Sequence, residues 1–105
     1  MHILAGDIGG TNTRLALFDD QGRCTRKIQK FPSKKFSTLL EIIQLFLQGQ
    51  EIERACFGIA GPVEGRICRA TNLPWVVDAD QIEKHSSIEK VYLINDLLAN
   101  AYGLN

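Results

Sequence analysis

The sequence has few of the residues that build disulfide frameworks, metal sites or covalent active sites. Its 105 residues include three cysteines at wide spacing and two histidines, and no Cys-x-x-Cys pair occurs. An odd number of dispersed cysteines is typical of free thiols in a reducing compartment. Neither His2 nor His85 has a partner at metal-ligand spacing. We therefore expect no disulfide scaffold, no zinc site and no Ser-His-Asp or Cys-His catalysis.

Long apolar runs and an excess of charge are also missing. No apolar run approaches the ~20 residues that a membrane helix requires, and Asp7 comes too early for a signal peptide. Lysine and arginine together number 12, as do aspartate and glutamate, so no overall field attracts nucleic acid or an anionic membrane. We expect a single cytoplasmic domain with neither nucleic acid nor a membrane as its partner.

One stretch of the chain has no acidic residue. Between Gln21 and Leu40 the only charged residues are basic. They are Arg23, Arg26, Lys27, Lys30, Lys34 and Lys35. A charge run of this kind usually keeps the exposed face of a strand in solution. A solvated strand face and a contact surface both remain open as interpretations.

Apolar runs of strand length, each closed by turn residues, indicate the strands. The predicted strands span residues 3–5, 14–18, 24–31, 55–60 and 91–94, and residues 63–70 form a further strand or hairpin arm. The first three follow one another through tight turns and predict an antiparallel meander. The later strands are linked by helices, so the pattern predicts an α/β fold with a mixed five-stranded sheet.

Capping residues indicate the helices. Thr38 and Glu41 have the spacing of a capping box, and Gly49 marks the end of that helix. Asp80 with Glu83 predicts a second, short helix that ends near residue 84. A third helix begins at Leu97, and the sequence stops at residue 105, barely two turns into it. No domain boundary is apparent there, which suggests that the chain is the start of a longer protein.

The turn between the first two predicted strands carries the strongest functional signal. It contains Asp7, the adjacent Gly9 and Gly10, and then Thr11 and Asn12. Adjacent glycines let a backbone approach a ligand closely and adopt positive φ freely, and their amides can form an anion nest. Asp7 would stand where Mg²⁺ bridges to bound phosphates. The order of residues in this segment matches neither a Walker A loop nor a dinucleotide-binding motif. A plain glycine hairpin remains the alternative.

Two further segments carry polar groups at predicted strand ends. Asn95 and Asp96 follow an apolar strand and precede a helix, where α/β proteins tend to bind ligands. Asp96 could accept a hydroxyl proton during phosphoryl transfer, or it could simply cap the helix. Thr71 and Asn72 supply neutral donors and acceptors beside Trp75, which suits a sugar. A structural loop with the indole in the core is equally compatible with that segment.

Residues 7–17, 58–63, 71–75 and 95–101, taken in order, resemble the motifs of the bacterial glucokinases. These enzymes are hexokinase-like sugar kinases of the actin-like ATPase superfamily, and the resemblance covers essentially the whole chain. It implies an RNase H-like lobe, the smaller of two lobes that close on ATP, Mg²⁺ and glucose. We also expect a homo-oligomer, a dimer.

The resemblance also implies roles for individual residues. Residues 9–12 and Asp7 would form the first phosphate motif, with Asp7 at the metal. Asp96 would be the general base for the glucose 6-hydroxyl, and Asn95 would bind the sugar beside it. Thr71 and Asn72 would lie in the sugar-side loop.

The rest of such an active site is not in this sequence. It has no second phosphate motif, no adenosine-binding segment, no Glu-x-x-His and no returning C-terminal helix. We therefore expect the 105 residues alone to be inactive and to self-associate through the apolar strip that the helix would cover. A kinase for another hexose, a sugar-sensing regulator and a non-catalytic assembly module are the alternatives.

Overall fold

A five-stranded sheet forms the centre of the computed structural model, which describes residues 1–95. Its strands are β1 (His2–Ile8), β2 (Asn12–Asp19), β3 (Cys24–Pro32), β4 (Ile52–Ile59) and, last in the chain, β8 (Ile88–Asn95). A separate sheet has three short strands, β5 (Val63–Glu64), β6 (Ile67–Arg69) and β7 (Val76–Asp78). The helices are α1 (Leu39–Leu47) and α2 (Ala79–His85), and a 3-10 turn spans Ser33–Lys35. The predicted helix from Leu97 lies outside the described residues.

The strands of the main sheet run in the order β3-β2-β1-β4-β8. β1, β2 and β3 are antiparallel neighbours, whereas β4 pairs in parallel with β1 and β8 pairs in parallel with β4. The predicted meander and the helix-linked parallel strands are therefore confirmed. Because β1, β4 and β8 are parallel, their carboxyl ends share one edge of the sheet, and ligands of α/β proteins bind at such edges.

Local sequence determines both ends of α1. The Glu41 N–H donates to Thr38 Oγ1 at 3.3 Å and the Thr38 N–H donates to Glu41 Oε1 at 3.1 Å, which confirms the predicted capping box. The last helical residue is Leu47, and the cap that follows it is Gln48 rather than the predicted Gly49. Gln48 already adopts a left-handed φ of 50°. The buried face that packs on the sheet consists of Leu39, Ile42, Ile43, Phe46 and Leu47.

The region from β5 to α2 differs from the prediction in three ways. Residues 63–70 form a complete hairpin rather than one arm, since Gly65 takes a φ of 62° in the turn. The short strand β7 was not predicted; it pairs Val77 with Cys68 of β6. The helix cap was also wrong. Asp78, not Asp80, accepts the first N–H groups of α2, at 3.0 and 3.4 Å.

Asp80 and Glu83 have a different function from capping. Both carboxylates accept from Arg66, at 2.6 Å to Asp80 and 2.5 Å to Glu83. Glu83 also accepts the Val91 N–H at 2.8 Å, so it connects α2 to β8. Within residues 1–95, neither helix has the length and apolarity needed to cross a membrane.

Half of the basic run lies on β3, an edge strand of the main sheet, and the rest lies just before and after that strand. Most of its side chains are exposed, as expected for a solvated strand face. Arg26 is the exception. Its guanidinium stacks 4.5 Å from the centre of the Phe46 ring and donates to the Phe46 carbonyl and, at 2.6 Å, to Gln50 Oε1. Arg26 thus fastens the edge strand to the end of α1.

Candidate active site

The glycine turn between β1 and β2 closes on itself. The Gly9 N–H donates to the Asn12 carbonyl at 3.0 Å. A Cβ at Gly9 would lie 2.9 Å from that same oxygen, which is too close for any side chain to fit without movement. The glycines with positive φ in the described part of the chain do not include Gly9 or Gly10. The two glycines are therefore required by lack of space, and the expectation that they exploit positive φ was wrong.

Gly10 brings the glycine turn against the predicted sugar loop. A Cβ built on Gly10 would lie 2.7 Å from Asn72 Cβ, whereas carbon atoms pack at about 3.5–4.0 Å. The turn and the loop are distant in sequence and touch at this point. Asn72 and Thr71 are both exposed, while Trp75 is buried and donates from Nε1 to the Phe36 carbonyl at 3.1 Å. The loop is therefore anchored by its indole and presents its polar end at the turn.

The loop is also tied to the end of β4. The Thr71 N–H donates to the Ala60 carbonyl at 2.8 Å. Gly61 follows with a φ of 148°, a backbone conformation that side-chain-bearing residues rarely adopt, and a Cβ there would overlap the Arg69 carbonyl. The Asn95 side-chain amide donates to the Gly61 carbonyl. Asn95 is opposite Ile59 in the parallel β4–β8 register, so three strand ends and the loop meet at one edge.

Asp7 lies beside this edge on the exposed side of β1. Its side chain is 59% exposed, and its Oδ2 is 3.9 Å from Arg14 Nη1 on the neighbouring strand. An exposed ion pair of that length contributes little, about 0–1 kcal/mol, so the carboxylate is available to a cation. In residues 1–95 no group of three His, Cys, Asp or Glu side chains is arranged to hold a metal. A cation at Asp7 would therefore need most of its ligands from phosphate oxygens and water.

The turn is supported from behind by two residues that the sequence analysis did not single out. Ser33 and Thr13 are fully buried, and their hydroxyl oxygens are 2.8 Å apart. Ser33 Oγ donates to the Gly9 carbonyl at 2.7 Å, and the Ser33 N–H donates to the Thr11 carbonyl at 3.0 Å. The sequence gives one hint of Ser33: a small hydroxyl residue stands directly after Pro32, which ends an edge strand.

The other predicted residues are placed as follows. Thr11 and Asn12 occupy the turn and the start of β2, next to the glycines. Asp96 lies outside the described residues. The three cysteines are free thiols, and burial raises the pKa of Cys56 and of Cys68. A raised pKa leaves these thiols protonated and unreactive at neutral pH, so they take no part in this site.

The known proteins that this chain resembles include glucokinases. The chain is 40% identical over 109 residues to a glucokinase of Nostoc punctiforme, a match that covers 98% of this chain and 32% of that protein. The glucokinase of an Antarctic psychrotroph superimposes with a TM-score of 0.79 at 33% identity, over 96% of this chain and 34% of the other. This chain thus spans about a third of the length of the relatives that it matches.

A more distant structure shares the fold. The ROK family glucokinase of Streptomyces griseus, solved in complex with glucose and AMPPNP, has a TM-score of 0.73 at 24% identity and covers 98% of this chain and 36% of its own. The predicted α/β lobe with its mixed sheet is therefore confirmed. The family model of the glucokinases matches residues 4–105. With this match and the identity to Nostoc punctiforme glucokinase, the chain belongs to the glucokinase family.

Proposed function

We propose that this chain supplies the phosphate-binding turn and one side of the sugar site of a glucokinase, which transfers the γ-phosphoryl group of ATP to the 6-hydroxyl of glucose. The observation that carries the proposal is the contact between Gly10 and Asn72. It places the turn of two adjacent glycines directly against a loop of neutral hydrogen-bonding groups. Phosphoryl transfer to a sugar requires that these two kinds of site be adjacent.

The turn would bind the phosphates of ATP through its backbone. Among residues 1–95, the amides of Gly10 and Thr11 have no backbone hydrogen-bond partner, whereas the Gly9 amide is used inside the turn. Donors that are already oriented stabilise the charge of the transferring group without reorganisation. Mg²⁺ would supply neutralisation of phosphate charge, and Asp7 would hold it through one carboxylate and its water shell. The exposure of Asp7 fits that role.

Asp96 would act as general base, although it lies outside the described residues. It directly follows Asn95, the last residue of β8, whose amide is bound to Gly61. As the glucose 6-oxygen forms its bond to the γ-phosphorus, the bond from that phosphorus to the ADP oxygen breaks, and the hydroxyl proton passes to the Asp96 carboxylate. Asn95, Asn72 and Thr71 would bind sugar hydroxyls around that reaction.

We further propose that the chain is the small lobe of a two-lobe, cytoplasmic, oligomeric kinase. The match to 32% of the Nostoc punctiforme protein supports this, because the remaining length is free to form a larger lobe. Closure of two lobes excludes water and completes the constellation of catalytic groups. We therefore expect the 105 residues alone to show no glucose- and ATP-dependent turnover. We also expect them to self-associate in sedimentation, through the apolar strip that the returning helix would cover.

The test uses a complete enzyme, meaning this chain followed by the remaining two thirds of a glucokinase, either its own continuation or that of the Nostoc punctiforme relative. Turnover is measured in a coupled assay with glucose, fructose, mannose and N-acetylhexosamines. The proposal expects the highest kcat/KM for glucose. A preference for another hexose would replace glucose as the substrate, and no turnover with any sugar would refute the kinase function.

The same enzyme tests the base. Asp96→Asn keeps the shape of the side chain and removes its basicity, so kcat should fall by about 100-fold or more while glucose affinity stays within a few-fold. Asp20→Asn, in the exposed turn after β2, is the matched control and should leave kcat unchanged. Near-normal turnover of Asp96→Asn would remove Asp96 from the role of base.

A further inference from the structure

Ser33 contacts both carbonyls that flank the tip of the phosphate turn. Its Oγ lies 2.7 Å from the Gly9 carbonyl, and its backbone N–H donates to the Thr11 carbonyl at 3.0 Å. The side chain is fully buried, as is that of Thr13 beside it. Buried polar side chains are costly unless they are hydrogen-bonded, so this pair has a specific arrangement to maintain.

The direction of the two hydroxyl hydrogen bonds follows from chemistry. A hydroxyl has one proton, and a carbonyl oxygen can only accept. Because Ser33 Oγ donates to the Gly9 carbonyl, it must accept from Thr13 Oγ1 across their 2.8 Å contact. The chain of donors therefore runs from Thr13 to Ser33 to Gly9. Only the last bond acts on the turn itself.

Fixing a carbonyl also fixes the amide that follows it. Peptide bonds in residues 1–95 are all trans, and in a trans peptide the C=O and the next N–H point in opposite directions. With the Gly9 carbonyl held toward Ser33, the Gly10 N–H points away from Ser33. This amide has no backbone hydrogen-bond partner among residues 1–95. Ser33 thus determines where the Gly10 donor points.

We propose that Ser33 is a positioning residue for phosphate binding, acting through the Gly9 peptide to orient the Gly10 amide. The proposal rests on the proposed function, since it concerns the phosphates of ATP. Loss of the Ser33 hydroxyl frees the Gly9 peptide to rotate. A misplacement of about 1 Å among groups that position a reactant can reduce rate about 100-fold.

The test compares Ser33→Ala with Thr13→Val in the complete enzyme. Both remove one buried hydroxyl, so both should lower the melting temperature, but only Ser33→Ala removes the donor to the Gly9 carbonyl. We expect Ser33→Ala to lower kcat/KM for MgATP about 10- to 100-fold and to leave the KM for glucose within about 3-fold. Thr13→Val should leave both parameters within about 3-fold.

Two readouts keep the result decisive. Turnover by the unmodified complete enzyme establishes the proposed function, so a loss seen only in Ser33→Ala is separate from it. In the unliganded protein, the ¹⁵N–¹H resonance of Gly10 should shift in Ser33→Ala and stay in place in Thr13→Val. If Ser33→Ala does not fold, Ser33→Cys retains a weak donor and should give an intermediate kcat/KM for MgATP. Equal losses in the serine and threonine variants, or a Gly10 resonance that does not move, would overturn the proposal.

Discussion

Gly10→Ala is the substitution that most directly tests the contact between the glycine turn and the loop that carries Asn72. The added methyl carbon would lie 2.7 Å from Asn72 Cβ, 3.6 Å from the Asn72 carbonyl oxygen and 3.7 Å from its Cγ. Only the first contact is impossible, and it falls about 1 Å short of normal carbon packing. Because Gly10 has no positive φ, alanine brings no backbone strain of its own. The expected effect therefore comes from a displacement of Asn72.

The size of the effect depends on whether the turn or Asn72 moves to accommodate the added methyl group. The turn is held by Ser33 and by its own Gly9–Asn12 hydrogen bond, whereas Asn72 is exposed on a loop anchored three residues later by Trp75. We expect Asn72 to move by about 1 Å, at a cost in stability of about 1–3 kcal/mol. If Asn72 binds a sugar hydroxyl, the KM for glucose should rise about 10-fold or more, since an unpaired polar contact costs about 1–3 kcal/mol.

The assay is steady-state kinetics of the complete enzyme, with melting temperature measured in parallel. Gly22→Ala serves as the control, because Gly22 has a φ of 80° and no atom within 4 Å of its added Cβ. That variant carries backbone strain of about 1–2 kcal/mol far from the turn, so it should lower stability and leave the glucose KM unchanged. An unchanged glucose KM in Gly10→Ala, with normal folding, would refute the contact-based reasoning and the sugar-binding role of Asn72.

The remaining predictions concern stability. The Val91 N–H, and then Arg66, hold the pKa of Glu83 below its ordinary value of 4.5. The ionised Glu83 therefore stabilises the fold fully at pH values above 4.5, and this stabilisation is lost as the pH falls through the lowered pKa of the folded state. Glu83→Gln has no such charge to lose, so its free energy of unfolding should fall less steeply with acid than that of the unmodified chain. Trp75→Phe should cost about 1–3 kcal/mol in urea unfolding, because the Phe36 carbonyl loses its buried donor. The Glu83 assignment would be contradicted if the stability of Glu83→Gln and of the unmodified chain fell equally steeply in acid. The Trp75 assignment would be contradicted if Trp75→Phe left the stability unchanged.

Elements that local chemistry specifies could be predicted from the sequence. α1 is the clearest case, because the Thr38–Glu41 capping box and the apolar face are both written within one short segment. The meander was predictable for the same reason, since apolar runs alternate with tight turns. Parallel pairing of β4 and β8 followed from the helical connections between apolar strands. These features depend on residues that are near one another in the chain.

Features that depend on distant residues could not be predicted in this way. β7 has only three residues and exists because Val77 pairs with Cys68. Asp78 rather than Asp80 caps α2, and Asp80, already inside the first helical turn, pairs instead with Arg66 on the preceding hairpin. Without the fold, the hydroxyl of Ser33 gives no indication that it lies behind Gly9. In each case the deciding partner comes from another element.

The glycine pair shows how this distinction bears on function. From sequence alone, Gly9 and Gly10 are explained by conformational freedom, an explanation that any glycine hairpin shares. In the structure Gly9 is required because the Asn12 carbonyl occupies its side-chain space, and Gly10 because Asn72 does. The first requirement shapes the turn, and the second holds the turn against the loop. A hairpin without ligands would need only the first, so the second is the observation that supports the proposed meeting of phosphate and sugar at this edge of the sheet.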